Sequence, residues 1–370
     1  MKKKKKLTIF GKLQLLLALL LAGGLITGIL AGHYDPRAHR LIPFFGLAYP
    51  FFLILNAVMA ISWMLRGKLF AALLTLLVIC SGWHALKATV GFIGEEGKGP
   101  KSSPDLIRMM TYNVHSFKPY GEESNEKVKQ QMLQVVRDEN PDIICFQEYY
   151  TRRKGSYAIT DSLKKILHTA HYYFVPFSGN DYEASGLCIF SRYPIADKGS
   201  ITFHKDQSDN KSIYIDVLVS GKKLRVYNVH LQSISFDKQD YSYLDRVTRK
   251  MDAEIVPSRR ILSMLKAAFE KRSAQVDLMK AHMKTCTIPF LIAGDFNDTP
   301  ASYAVTQLTA SLQNTFVAEG TGLGRTYNGK FPNFQIDYIS ATPGLKIMNH
   351  RVIEARLSDH FPVRSDLRFN

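Results

Sequence analysis

The stretch PFLIAGDFNDTP, residues Pro289–Pro300, joins an apolar run typical of a buried strand to a group of polar side chains. The apolar run ends at Gly294, which allows the backbone to turn. Asp295 and Asn297 follow, and residues i and i+2 of a strand project to the same side. We therefore expect a carboxylate and an amide to point together from this strand end. Taken alone, the stretch is explained more simply by a loop in which both side chains form turn hydrogen bonds.

Five other places along the chain show the same kinds of side chain at the boundary of an apolar strand. They are Asn113 after MMTY, Glu148 after IICFQ, Asn228 and His230 in RVYNVH, Asp337 in FQIDYIS, and Asp359 and His360 before FPV. Each residue has an ordinary structural explanation, such as a turn former or a cap. Six such boundaries together are hard to attribute to chance, and they predict one polar site at an edge of the sheets.

Residues 105–370 alternate between short apolar runs and helical patterns. These short apolar runs, several of which alternate with period 2, predict strands at 106–113, 142–148, 171–177, 186–191, 212–219, 223–230, 288–294, 334–340 and 345–355. Helices are predicted at 124–139, at 158–170, within 241–284 and at 301–312. Many strands with interspersed helices and hairpins indicate a mixed sheet system with helices outside it.

The N-terminal quarter of the 370-residue chain has a different character. Three long apolar segments lie at about 13–32, 41–65 and 69–91, and roughly 20 such residues cross a bilayer as a helix. The first two reach this length without a charge, and the third reaches it if the Lys87 side chain extends to the membrane surface. A cleaved signal peptide is the alternative for the first segment, but two more apolar segments follow it. The sequence therefore predicts a membrane anchor at 1–93 and a Gly/Pro-rich linker at 94–104 before a catalytic domain at 105–370.

The distribution of basic residues predicts how the anchor is oriented. Lys2–Lys6 and the short loop Arg66–Lys68 are more basic than the loop that carries Arg37 and Arg40, which places the N-terminus inside. Three crossings then make this a multi-pass integral membrane protein whose catalytic domain is extracytoplasmic, and periplasmic in a Gram-negative cell. If one segment fails to insert, the domain lies on the other side.

Much of the formal charge of +16 belongs to this N-terminal part. Residues 1–100 hold 12 Lys and Arg and 3 Asp and Glu, so the other 270 residues carry 36 basic and 29 acidic side chains, a net charge of +7. A mildly basic domain suits anionic headgroups or a phosphate-bearing substrate. It lacks the strongly basic stripe of a dedicated nucleic-acid binder.

The motifs TYNVHSF, CFQEYY, NVHLQS, AGDFNDTP, QIDYIS and SDHFPV together resemble those of the endonuclease/exonuclease/phosphatase family. That family includes pancreatic DNases, apurinic repair endonucleases, bacterial sphingomyelinases and inositol-polyphosphate phosphatases. The resemblance covers about residues 105–370, with the motifs in the family order. It implies an α/β fold, a four-layer α/β/β/α sandwich of two mixed sheets, with the active site at one rim. In this chain the three transmembrane helices predicted from the apolar segments precede that sandwich.

The resemblance also implies roles for the polar residues. Hydrolysis of a phosphate ester needs a divalent cation and an activated water molecule. Glu148 is expected to bind Mg²⁺, or alternatively Mn²⁺. Asn113 is expected beside Glu148 at the metal, and Asp359 is expected to complete the metal surroundings. Asp295 is expected to deprotonate the water, and Asn297 to donate to the phosphoryl oxygens.

The two histidines and their partners complete the implied site. His360 is expected to bind the phosphate, with its ring held by Asp337. His230 is expected near the leaving group, and Asn228, on the same face of its strand, as a phosphate-binding residue. One departure weakens a repair-nuclease function: apurinic endonucleases have Asn-x-Asp where this chain has Asn113-Val114-His115.

Three functions follow from these observations. The leading hypothesis is a membrane-anchored, Mg²⁺-dependent phosphoesterase that acts on a phosphate mono- or diester, with the bilayer favouring a lipid-linked one. The alternatives are an extracytoplasmic, membrane-tethered nuclease and a non-catalytic binding module with the same fold. A basic helical segment within 233–285 is expected to pack on the sandwich, or else to contact the membrane surface. The sequence gives no indication of the oligomeric state.

Overall fold

The computed structural model describes residues 8–118, 125–203, 210–234, 236–250, 255–329 and 333–370. The basic start of the chain, Lys2–Lys6, lies outside the described residues, as do Ser235 and 251–254 of the predicted basic segment. The helices are α1 Ile9–Leu30, α2 Ile42–Leu47, α3 Tyr49–Leu65, α4 Leu69–Ser81, α5 Trp83–Thr89, α6 Glu126–Glu139, α7 Ile159–Leu167, α8 Lys238–Lys250, α9 Ile255–Lys284, α10 Tyr303–Thr309 and α11 Thr315–Glu319. The strands are β1 Ile107–Asn113, β2 Ile143–Arg152, β3 Tyr172–Gly179, β4 Glu183–Ser191, β5 Ile195–Thr202, β6 Lys211–Val219, β7 Lys222–His230, β8 Phe290–Asp295, β9 Gln313–Asn314, β10 Asp337–Ala341, β11 Leu345–Ile347, β12 Arg351–Val352 and β13 Val363–Phe369.

The strands form two mixed sheets. The first has the order β11-β13-β1-β2-β4-β3, with β12 also paired to β13, and β1 and β2 run parallel. The second has the order β5-β6-β7-β8-β10-β9, and β7 and β8 run parallel. Buried aliphatic side chains from both sheets form one cluster, to which Met109 and Ile189 of the first sheet and Val226 and Leu291 of the second belong. The two sheets therefore pack face to face.

Helices cover the outer face of each sheet. Met132 and Leu163, from α6 and α7, pack with Met110 of the first sheet. Val276 of α9 packs with Ile292 of the second sheet. Because adjacent residues of a strand face opposite sides, Met109 enters the cluster between the sheets while Met110 enters the cluster under the helices. Burial on both faces explains why the central strands read as nearly continuous apolar runs.

The sequence patterns located most of these elements but missed some at the periphery. Strand β5, with the sequence IADKGSIT, is an edge strand with charged residues and a glycine, so it lacks the apolar signal of a buried strand. The single strand predicted at 345–355 is two short strands, β11 and β12. In the stretch where one long helix was predicted within 241–284, the structure describes α8 and α9, and residues 251–254 between them lie outside the described residues.

The N-terminal region differs from the three continuous spans that the sequence predicted. Of the described helices, only α1 is by itself long and apolar enough to cross a membrane. Helices α4 and α5 are bent by 75° at Gly82, and the two together would provide a second span if they are counted as one helix. The segment at 41–65 divides into α2 and the 17-residue α3. The physical reason is proline: Pro43 and Pro50 lie in the first turns of α2 and α3, where a missing N–H is tolerated, so each starts a helix.

The outer surface of these helices is apolar. Exposed large hydrophobic side chains include Leu16 and Leu20 on α1, Ile54 and Val58 on α3, and Leu73 and Leu77 on α4. In contrast, polar side chains lie inside: the Asn56 amide is fully buried and donates to the carbonyl of Leu21, 3.0 Å away. Contiguous exposed apolar surface of this kind marks an interaction site or a membrane contact.

Polar contacts attach the connections before α2 and after α5 to the sandwich. In the connection between α1 and α2, Arg37 pairs with Asp277 at 2.6 Å and Asp35 accepts from the Ser273 hydroxyl at 2.7 Å. Both partners lie on α9. After α5, Gly91 pairs its backbone with Gly322. The chain then follows the sandwich, so the predicted linker lies against the folded domain.

Candidate active site

Three neighbouring strands of the second sheet bring polar side chains to one row. In the pairing of β7 with β8, His230 lies opposite Asp295, and in the pairing of β8 with β10, Asp295 lies opposite Asp337. All three side chains are buried. The strand register therefore produces a His–Asp–Asp row, which the sequence could show only as separate strand ends.

The first sheet contributes Asn113 and Glu148. Asn113 ends β1, and Glu148 lies where the pairing of β2 with β4 shifts register between Phe146 and Tyr149. The Nδ2 of Asn113 donates to Glu148 Oε1 at 3.2 Å and to Asp295 Oδ2 at 3.0 Å. One amide thus connects the polar groups of the two sheets.

The turn before β13 completes the cluster. The Nδ1 of His360 contacts Asp337 Oδ2 at 2.9 Å, and its Nε2 lies 3.6 Å from Asp295 Oδ2. The Nε2 of His230 lies 3.8 Å from the same Asp295 oxygen and 4.0 Å from Glu148 Oε1. Asp295 is therefore flanked by two imidazole rings.

Asn297 and Asp359 also belong to this cluster. The backbone N–H of Asn297 donates to Asp295 Oδ1 at 2.8 Å. Asp359 lies beside His360 and accepts from the Ser358 hydroxyl at 3.1 Å. A cleft of about 320 Å³ is lined by Glu148, Asp295, Asn297, Asp359 and His360. The structure thus brings eight of the nine predicted site residues together, with Asn113, His230 and Asp337 beneath the cleft surface.

Asn228 is the exception. Its side chain is fully buried between the sheets, where Nδ2 donates to the carbonyls of Phe146 at 2.9 Å and Cys188 at 3.1 Å. Its Oδ1 accepts from Gln147 at 2.6 Å. The expected phosphate-binding position is therefore corrected: both ends of the amide are used in joining the two sheets. The alternation of a strand shows which face a side chain lies on, but it does not show how far that side chain lies from the edge of the sheet, so the sequence alone missed this.

Unusual backbone conformations concentrate at the cleft. Among the residues that the structure describes, eight non-glycine residues have positive φ. Asn140 and His168 cap helices and Ser220 lies in a hairpin, whereas the other five are His115, Ser116, Phe117, Glu148 and Asn297. Such conformations cost of the order of 1–3 kcal/mol each and tend to persist at functional sites. Glu148 has φ of 50°, which accompanies the register shift that turns its carboxylate toward the cleft.

His115 is a residue for which the sequence gave no role. Its Nδ1 lies 3.2 Å from Glu148 Oε2 and 3.9 Å from Asp359 Oδ1, and it lines the cleft. The sequence could have indicated His115 as a site residue, because it lies two residues after Asn113 at the same strand end. Ser358, also unassigned, donates to the carbonyl of Asn113 at 3.0 Å and accepts from the backbone N–H of His360. Ser358 therefore positions the turn that carries Asp359 and His360.

The charges in the cluster affect one another. Burial raises the pKa of Asp295 to about 6, and the Asp337 carboxylate adds to this effect although His360 and His230 oppose it. Burial opposes the charged form of Glu148, but the hydrogen bond to His115 and the nearby imidazole charges lower its pKa to about 2. Burial likewise opposes a charged His360, but Asp337 and Asp295 raise its pKa well above the ordinary value. A carboxylate that titrates near neutrality suits a general base.

Two groups of side chains have donors that could hold a cation. Asp295, Asp337 and His360 each offer one atom within 4.8 Å of the others, but the Asp337 and His360 atoms already bond to each other. The second group, Glu148 and Asp359, provides carboxylate oxygens, the donors that Mg²⁺ prefers. Asn113 lies beside it with Nδ2 toward Glu148, while its Oδ1 accepts from the backbone N–H of His115 at 3.1 Å. The Glu148 side chain is 33% exposed, against 1% for Asp337, so it is open to a substrate in the cleft. The second group fits a hard divalent cation better.

Comparisons with known proteins agree with this architecture. A model of the Endonuclease/Exonuclease/phosphatase family matches residues 110–360. A model described as a domain of unknown function matches residues 9–89, the part that holds α1 to α5. No curated protein matches the chain.

Solved structures with the same fold come from several bacteria. An endonuclease/exonuclease/phosphatase from Bacteroides vulgatus is 17% identical, with 72% of this chain and 99% of that chain covered and a TM-score of 0.52. One from Beutenbergia cavernae DSM 12333 is 18% identical, covers 72% of each chain and has a TM-score of 0.50. A mannosyl-6-phosphatase from Bacteroides thetaiotaomicron VPI-5482 is 17% identical, with 71% of this chain and 100% of that chain covered and a TM-score of 0.50. At these identities the likeness concerns the fold.

Proposed function

Because the chain belongs to the endonuclease/exonuclease/phosphatase family, a family of metal-dependent phosphoesterases, we propose that it is a membrane-anchored, Mg²⁺-dependent enzyme that hydrolyses a phosphate mono- or diester with water. The observation that carries this proposal is the position of Asp295. Its carboxylate lies between His230 and His360, and Asn113 connects it to Glu148.

Glu148 and Asp359 would hold the cation, with Asn113 orienting Glu148 through its Nδ2 and with Mn²⁺ as the alternative to Mg²⁺. When bound, the cation supplies neutralisation of the phosphoryl oxygens and stabilises the charge of the transition state. His115 contacts Glu148 and lies near Asp359, so it positions the carboxylates of this group.

The other residues of the cluster act on the water and the ester. Asp295 takes a proton from the attacking water, which forms a new P–O bond as the ester P–O bond breaks. His360, held by Asp337, presents its Nε2 to a phosphoryl oxygen. His230 gives a proton from Nε2 to the leaving oxygen, and Asp295, whose Oδ2 lies 3.8 Å from that Nε2, restores it with the proton taken from the water. Asn297 donates one Nδ2 hydrogen to the Leu231 carbonyl at 3.0 Å and has a second for the phosphate.

We further propose that the N-terminal helices lie in the membrane as a multi-pass anchor. The exposed apolar side chains of α1, α3 and α4 support a lipid environment for all three, including the shorter α3 and α4. The asymmetry of basic residues around these helices supports an extracytoplasmic catalytic domain. The reaction would then take place next to the bilayer surface.

The full-length protein in detergent tests the proposed activity. p-Nitrophenyl phosphate, bis-p-nitrophenyl phosphate and duplex DNA present a monoester, a diester and a nuclease substrate. We expect hydrolysis of at least one small ester in Mg²⁺, its loss in EDTA and its return when Mg²⁺ is restored. Release of nucleotides from DNA as the dominant activity would favour the nuclease alternative.

A variant at the metal group provides the sharper test. Glu148→Gln should require a Mg²⁺ concentration at least about 10-fold higher for half-maximal activity, since it loses an anionic ligand. Glu354→Gln, at an exposed glutamate outside the cleft lining, is the matched control and should keep the wild-type requirement. Full activity in EDTA, or an unchanged Mg²⁺ requirement in Glu148→Gln, would contradict the proposal.

A further inference from the structure

The cleft has an apolar side next to the polar cluster. The same 320 Å³ cavity that Glu148 and Asp295 line is also lined by Leu47, Ile234, Phe236, Leu265, Phe269 and Phe334. Its size is at the lower end for cavities that bind small organic ligands. An inorganic phosphate or a metal ion alone makes no use of such a wall, so the wall indicates a substrate with an apolar part.

The N-terminal helices build part of this apolar wall. Leu47 is the last residue of α2, and Phe44 of the same helix packs edge-to-face on Phe269 with ring centroids 5.4 Å apart. Phe51 of α3 packs in the same manner on Phe334, at 6.1 Å. The connection before α2 is fixed to α9 by the Arg37–Asp277 pair. The wall is therefore a preformed feature of the folded chain.

The wall continues toward the surface of the N-terminal helices. Phe334 lines the cleft and contacts Phe51, which is 51% exposed on α3. Ile54 and Val58, one and two turns further along α3, are also exposed. An apolar path thus leads from the metal group, along the cleft, to the surface that we propose contacts lipid.

We propose that the cleft binds an amphiphilic phosphate ester, a lipid-linked phosphate, with its phosphate at the Glu148–Asp295 cluster and its hydrocarbon chain along the apolar wall. This inference rests on the proposed phosphoesterase function. A nucleobase can stack on aromatic rings, but the aliphatic members Leu47, Ile234 and Leu265 and the continuity with α3 favour a hydrocarbon chain.

Alkyl esters of graded chain length test this inference in full-length protein in Mg²⁺. The probes are butyl and dodecyl phosphate, with butyl and dodecyl p-nitrophenyl phosphate as the matching diesters, all below their micelle concentrations. Since each buried CH₂ favours binding, we expect kcat/KM to be at least about 50-fold higher for dodecyl than for butyl. Equal values would overturn the inference while leaving the phosphoesterase function intact.

Variants in the wall locate the hydrocarbon site. Leu47→Ser and Ile234→Ser, at half-buried positions, should each lower the dodecyl-to-butyl ratio about 10-fold. Leu47→Met preserves volume and should keep the ratio high. Leu218→Ser is the control, because Leu218 lies at the end of β6 opposite to Lys211, the residue paired with His230. A ratio that is unchanged in both wall variants, with wild-type melting temperatures, would overturn the inference.

Binding of non-hydrolysable analogues tests the amphiphile site separately from the phosphoesterase function. Calorimetry with butyl- and dodecylphosphonate measures whether the chain contributes to affinity independently of turnover. No hydrolysis of any ester, together with tighter binding of dodecylphosphonate that Leu47→Ser weakens, would refute the enzymatic function and retain the amphiphile site. Equal binding of both phosphonates would refute the site.

Discussion

The N-terminal helices and the sandwich distribute polarity in opposite ways. In the sandwich, apolar side chains fill the space between the sheets, and its exposed helix faces carry charge. In α1, α3 and α4 the large apolar side chains lie outside, while Gln14 and Asn56 lie inside and make hydrogen bonds between helices. This contrast is what the membrane anchor that we propose for the N-terminal helices predicts, because lipid surrounds apolar side chains at no cost and water does not.

The largest expected effect concerns the outer surface of α1. Leu16 and Leu20 are 55% and 65% exposed, and a charged side chain at the centre of a spanning helix costs roughly 2.5–3.5 kcal/mol. The double variant Leu16→Glu/Leu20→Glu should therefore lose most of its membrane retention in alkaline carbonate extraction. Leu323→Glu, at a 67% exposed loop position of the sandwich, should remain in the membrane fraction. Equal extraction of both variants would contradict a lipid-facing role for the outer surface of α1.

A smaller effect is expected from the polar cluster at the edge of the sandwich. Asp295→Asn keeps the shape of the side chain but removes the base that we propose, so kcat should fall about 10²–10⁴-fold. Asp181→Asn, at a fully exposed aspartate, should keep wild-type kcat. The melting temperature checks that the Asp295 variant is folded. Wild-type turnover in the folded Asp295→Asn protein would show that this buried carboxylate is structural.

His350 makes the stability of the sandwich dependent on pH. Burial lowers the pKa of His350 to about 3 from an ordinary value of 6.5. Below pH 6.5 the unfolded chain takes up a proton that the folded chain does not, so stability falls as pH falls. From pH 7.5 to 5, wild type should lose about 2 kcal/mol more free energy of unfolding than His350→Gln. Urea unfolding at both pH values measures the difference, and equal losses would contradict the assignment.

The smallest effect is expected inside the N-terminal helices. Asn56 donates to the carbonyls of Leu21 at 3.0 Å and Phe52 at 2.8 Å. Hydrogen bonds between helices in a membrane contribute about 0.6 kcal/mol on average. Asn56→Leu should therefore destabilise the protein in detergent by no more than about 1 kcal/mol, as measured by thermal unfolding. A loss of several kcal/mol would indicate that these helices depend on buried polarity as a water-soluble core does.

The sequence predicted the sandwich better than the N-terminal helices. Central strands such as β8 have apolar runs that end at a turn residue, and that signal is local. The division of the segment at 41–65 depends on Pro50 starting a new helix, whereas composition alone suggested one continuous span. The edge strand β5 carries few apolar residues, so no local pattern indicated it.

The site was predictable as a set of residues but not as a geometry. The motifs identified Asp295, Asp337 and His360, and their spacing along the chain says nothing about the strand register that aligns them. Asn228 lies on the same strand face as His230, but it is two residues further from the strand end and therefore deeper between the sheets. The contribution of Leu47 to the cleft depends on packing between distant parts of the chain, which no local pattern encodes.

Two asparagines link the proposed active site to the alignment of the two sheets. Asn113 in the first sheet reaches Asp295 in the second, and Asn228 in the second reaches the Phe146 carbonyl in the first. Strand residues are spaced by about 3.3 Å and hydrogen bonds weaken beyond about 3.5 Å, so a slip of one residue would break both bridges. In the proposed enzyme, an exchange deep between the sheets that preserves thermal stability would thus still lower turnover if it shifts one sheet against the other.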